Sequence, residues 1–103
     1  MDKNNRYQLL ILLAPQELKD NLVDTLISHE ALSGFSLSKI QGYSRAHHQY
    51  NIQEQVEGYR DLFRFELLHE QLHYQELLTK IKQTCPNNNI RYWCVPVIEK
   101  GVL

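Results

Sequence analysis

A chain of 103 residues with 43% hydrophobic and 22% charged residues has the make-up of one globular domain, long enough to bury a single core. Its formal charge of −1, with Lys and Arg scattered rather than blocked, offers no basic surplus for phosphates, so neither nucleic-acid binding nor a polybasic membrane patch is expected. The cysteines, Cys85 and Cys94, make no disulfide framework, residues 1–6 are polar, and no apolar run reaches the length of a membrane span, so a cytoplasmic protein without direct membrane insertion is expected.

Residues 7–13 form a short apolar run stopped by Pro15, which favours a central strand, with Pro15 suited to a first helical position. Leu18, Leu22 and Leu26, joined by Val23 and Ile27, then make a helical stripe, with Lys19, Asp20 and Asp24 outside it. Phe35 and Leu37 alternate with Ser36 and Ser38 in a second strand running to about Tyr43. Residues 45–58 hold no sustained periodicity, are rich in His, Gln, Asn and Glu, and read as a long exposed loop of the kind that carries function. Phe63, Phe65 and Leu67 mark a third strand. Leu72, Leu77, Leu78 and Ile81 mark a second helix. A Pro86-Asn87-Asn88-Asn89 turn leads to a last strand over 90–98, which Pro96 assigns to a sheet edge.

The order strand, helix, strand, loop, strand, helix, strand is the α+β, ferredoxin-like βαββαβ sandwich, with both helices on one face of a four-stranded antiparallel sheet and a single domain over 1–103. The first strand is apolar on both faces, because Leu9, Ile11 and Leu13 oppose Leu10 and Leu12. Two helices cover only one face, so the other meets a partner subunit or a C-terminal tail folded across it.

The sharpest chemical motif is His69-Glu70-Gln71-Leu72-His73, an H-E-x-x-H match that on a helix would place two imidazoles on one face for zinc. The strand-to-helix boundary falls at 68–70, so His69 precedes the helix or caps it and the i, i+4 geometry is spoiled. The bland reading is a pair of exposed surface histidines. The pair His47-His48 is the better metal candidate. Near a subunit boundary, one imidazole from each of several chains can complete a shell for zinc, copper or nickel, with Glu54 and Glu57 in support. Cys94 reads as a small core side chain and Cys85 as an exposed loop thiol. Motifs for a serine nucleophile, a dinucleotide or a P-loop are missing from the sequence, and Tyr92-Trp93 reads as packing.

Residues 39–45, with Gly42, Tyr43 and Arg45, resemble the end of the second strand of PII signalling proteins, where the T-loop opens. Ser33-Gly34-Phe35, the His-bearing loop, residues 54–58, Tyr92-Trp93 and the stretch from Pro96 to Gly101 are similar to a small PII-like family of unknown function from Gram-negative bacteria, whose genes lie near heavy-metal efflux systems. The resemblance implies a non-enzymatic homotrimeric regulator or sensor. It would bind a small ligand or metal ion through the 45–58 loop (Gly42, Tyr43, Arg45, Tyr50) and the subunit clefts. The alternative it implies is a metal-binding accessory protein of efflux, CutA-like in build, with a transporter or efflux-system partner. A zinc hydrolase using His69, Glu70 and His73 is the minor alternative. Where PII proteins carry a Gly- and Lys-containing nucleotide loop, residues 84–89 contain neither residue type, so nucleotide binding is not implied.

Overall fold

The computed structural model describes residues 6–43, 59–86 and 90–103. Strand β1 (Tyr7–Pro15) is followed by helix α1 (Lys19–Ile27), β2 (Phe35–Gly42), β3 (Arg60–Glu70), helix α2 (Tyr74–Thr84) and β4 (Arg91–Val97). The strands form one antiparallel sheet in the order β2-β3-β1-β4, the ferredoxin-like arrangement expected from the sequence.

Register decides which side chains meet. Leu10 stands opposite Leu67 and Cys94, and Leu12 opposite Phe65 and Tyr92. Successive side chains alternate between faces, so Leu10, Leu12, Ala14, Phe65 and Leu67 share one face. They are buried there with Leu22 and Leu26 of α1 and Leu77 and Ile81 of α2. Phe35 adds a tilted ring contact to Phe65, with centroids 6.1 Å apart. The helices are tied to each other by a 2.8 Å hydrogen bond between the Thr25 and Thr84 hydroxyls.

The opposite face carries Leu9, Ile11 and Leu13 of β1, flanked by Leu68 and by Trp93 and Val95 of β4. No helix covers it. Ile11 is nevertheless buried, because as a central-strand residue it is walled in by Glu66 on one side and Trp93 on the other. An ion pair between Arg64 and Glu66 at 2.9 Å runs along the same face. The alternative of a tail folded across this face is not what the chain does. After Val97 it carries Ile98, Val102 and Leu103 fully exposed, and Lys100 reaches only the Tyr7 ring at the sheet end, 4.5 Å from its centroid.

Several local expectations need correcting. Pro15 is the last residue of β1 and the cap of a 3-10 turn (Gln16–Leu18), with an extended ψ of 152°, rather than the first helical residue. Ile27 is exposed, because it lies about 100° round the helix from Leu26 and off the Leu22–Leu26 line. Leu72 is exposed in a second 3-10 turn (Gln71–His73), ahead of the stripe that Leu77 and Ile81 bury. Cys85 is buried under the helices instead of exposed. Pro96 does fall on an edge strand, as its missing N–H requires.

Phe65 lies at the junction of β1, β2 and β3, completely buried. Phe65→Ala should lower unfolding free energy by about 3–5 kcal/mol, read from urea unfolding followed by circular dichroism. A loss below about 1 kcal/mol would mean that the core is not centred there.

Candidate functional site at the base of the β2–β3 connection

The described residues nearest the predicted ligand loop are the last of β2 and the first of β3. Gly42 stands opposite Arg60 in the ladder. A Cβ at Gly42 would lie 2.6 Å from Leu62 Cδ1, so a larger residue requires the Leu62 side chain to move. Beyond the ladder, the rings of Tyr43 and Tyr59 pack with centroids 5.7 Å apart and planes at 45°. The Tyr43 hydroxyl donates to Gln41 Oε1 at 3.4 Å while the ring stays largely exposed. These contacts hold together the two points where the chain leaves and re-enters the sheet. Beside them lies a solvent-open depression of about 580 Å³, lined by Lys39, Ile40, Gln41, Tyr59 and Asp61. Of the residues predicted for ligand or metal, Gly42 and Tyr43 are placed at this base. Arg45, His47, His48 and Tyr50, with Glu54 and Glu57, lie outside the described residues.

The H-E-x-x-H residues do not form a helical pair. His69 belongs to β3 and is only 3% exposed, against the expectation of a surface histidine. His73 is the residue capping α2. Glu70 points to the opposite sheet face from His69, accepting from the Tyr7 hydroxyl at 3.5 Å and facing His73 Nε2 at 3.4 Å. Among the described residues no group of three or more His, Cys, Asp or Glu side chains is arranged for a metal.

His69 instead centres a buried polar cluster. Its Nδ1 donates to the Leu67 carbonyl at 3.2 Å, and its Nε2 lies 3.2 Å from the Gln8 side-chain amide. The same amide receives the Cys94 thiol at 3.3 Å, and the Tyr74 ring stacks on the imidazole at 5.7 Å. Gln8 therefore links β3 to β4 across β1. Burial pushes the His69 pKa down, a shift the Leu67 carbonyl opposes and His73 reinforces. Burial pushes the Cys94 and Cys85 thiols up. Burial, with Cys94 and Tyr92 nearby, also raises the Tyr74 phenol. Every shift favours the neutral form, which suits a structural cluster and leaves Cys94 a poor nucleophile. The sequence signal was there to find: Gln8 is in phase with Leu10 and Leu12, and His69 with Phe65 and Leu67, so both face the helices. His29 is also buried, and its Nε2 has no hydrogen-bond partner among the described residues.

A family model described as "Protein of unknown function (DUF3240)" matches residues 4–103. The chain belongs to the DUF3240 family. A crystal structure of a DUF3240 family protein from Shewanella baltica OS155 is 42% identical, with a TM-score of 0.78 over 94% of this chain and 96% of that one. A Bacillus cereus protein related to NIF3 shares the fold alone, at 13% identity and a TM-score of 0.70, over 95% of this chain and 27% of that one. No curated protein matches the chain. The PII-like family of unknown function expected from the sequence is thus the one found.

In this DUF3240 protein, burial of neutral His69 links stability to pH. Unfolded, its imidazole has the ordinary pKa of 6.5, whereas folded it is lower. Between those values the unfolded chain binds a proton that the native chain refuses. The stability tied to His69 is therefore complete above about pH 6.5 and falls as pH drops toward the folded pKa. Urea unfolding at about pH 7.5 and about pH 5.5 should show a larger acid loss in the wild type than in His69→Gln, which keeps hydrogen-bonding capacity without the titration. Equal losses would assign the acid sensitivity to other groups.

Proposed function

We propose that the protein is a non-enzymatic PII-like regulator or sensor: a cytoplasmic homotrimer that binds a small ligand or metal ion through residues 45–58 and the clefts between subunits. The observation that carries this reading is the uncovered sheet face. Leu68, Trp93 and Val95 are exposed there beside the half-buried Leu9 and Leu13, an apolar strip that no element among the described residues covers. Contiguous apolar strips of this kind mark interfaces. The anchored pair Gly42–Arg60 and the Tyr43–Tyr59 contact support a ligand role for the connection they bracket, because a binding loop works best from a rigid base.

Sedimentation equilibrium at micromolar concentration tests the assembly. A trimer is expected, and Leu9→Asp should dissociate it by placing a charge between the exposed Leu68 and Val95; a stable wild-type monomer would sink the reading. Nucleotides should bind weakly or not at all, since residues 84–89 provide neither glycine nor lysine for a phosphate cradle. Calorimetry finding micromolar ATP or ADP binding would restore a nucleotide-sensing role.

The adjacent pair His47-His48 supports a second reading, a metal-binding accessory protein of efflux with a transporter-type partner. Zinc, copper or nickel binding should then be lost in a His47→Ala/His48→Ala variant, remain in His69→Ala, and weaken below about pH 6 as imidazole protonates. Binding that survives the loop double substitution rules this reading out.

A further inference from the structure

We infer that residues 98–103 form an exchanged arm that docks on the uncovered sheet face of a second copy of this chain. The inference rests on the proposed reading that copies associate through that face, and names the segment that completes the contact.

The arm is an anomaly on its own chain. Ile98, Val102 and Leu103 are 101%, 100% and 124% exposed, so three large aliphatic side chains touch almost nothing. The arm does not cover its own face for a topological reason. Val97 pairs with Tyr7, the first residue of β1, so β4 delivers the chain past the end of the sheet and away from Leu9, Ile11 and Leu13. Lys100 over the Tyr7 ring fixes the departure at that end. Six extended residues span roughly 20 Å, enough to cross a neighbouring sheet about four strands wide.

The receiving surface has matching chemistry. Leu9 lies between Leu68 and Val95, and Ile11 beside Trp93, which makes an apolar strip along β1 and β4, bordered on β3 by the Arg64–Glu66 ion pair. Leu68, Trp93 and Val95 are only 36%, 42% and 38% exposed, so the strip by itself offers limited area. A fully exposed aliphatic side chain contributes roughly 60–120 Å² of apolar surface, and so the three on the arm bring about 200–350 Å². A stable association needs about 800 Å² per partner. The arm adds its apolar area to that of the half-exposed face. A second copy is the occupant that brings both surfaces in equal number, each chain giving one arm and receiving one.

The test compares the full chain with a variant ending at Val97, which retains every residue of the helix-side core. Circular dichroism should be nearly unchanged, and sedimentation equilibrium should show association weakened about a hundredfold or more. In the unmodified chain, an equimolar mixture of differently isotope-labelled copies should show intermolecular nuclear Overhauser contacts from the Val102 and Leu103 methyls to the Trp93 indole. A monomeric full chain at about 100 μM would remove the assembly reading and the arm with it. Undiminished association of the shortened variant would overturn the arm and leave assembly through the face standing. If the shortened variant fails to fold, the mixed-label experiment decides, and absence of contacts between copies overturns the inference.

Discussion

The structure depends on one constraint: β1 is a central strand whose two faces are both apolar. Leu10, Leu12 and Ala14 point to the helices, and Leu9, Ile11 and Leu13 point away from them. Strand alternation allows no single layer to bury both sets. Right-handed crossovers place α1 and α2 on the same side, so the first set builds the core and the second is left on the open face. The position of β4 follows from the same constraint. As an edge strand beside β1 it shields Ile11 with Trp93 and Leu9 with Val95, but leaves both shields partly in water.

At one end of the core the apolar pattern gives way to polar residues. Gln8 and His69 continue the helix-facing phase of β1 and β3, so the sheet places them where α2 begins, under Tyr74. Each finds a partner there, as burial of polar groups demands. One amide serves two strands: Gln8 meets His69 on β3 and Cys94 on β4. Burial pushes His69, Cys94 and Tyr74 alike toward their neutral forms.

Most of the architecture was legible in the sequence, because alternation in Phe63, Phe65 and Leu67, the helical stripes and the Pro15 stop each act locally. The errors fall where tertiary pairing overrides local preference. β3 continues to Glu70 because it is paired with β1 along its length, which draws His69 into the sheet and buries it. Leu72 reads in the sequence with Leu77 and Ile81, but the chain at Leu72 is a 3-10 turn. The hydrogen bond from the Gln71 N–H to the Arg6 carbonyl ties that turn to the start of β1, so the buried stripe begins only after it. Cys85 looked exposed because Pro86 follows it, but the preceding helix turns it inward. Family membership was legible from short motifs spread along the chain. The candidate site was legible only at its base, Gly42 and Tyr43, because a connection without periodicity carries no register from which positions can be derived.

That division has a physical basis. The core is made by β1, β3 and the helices, and the helix-facing apolar residues of β3 begin at Phe63, beyond Arg60 and Leu62. The sheet therefore releases the chain after Gly42 and takes it up again at Arg60, ahead of the packed core. What the fold constrains is the take-off: a glycine pressed against Leu62 and two tyrosines in contact across the hairpin. A shared fold with a NIF3-related protein at 13% identity accordingly carries no information about ligand, since the sheet can be kept while the connection changes.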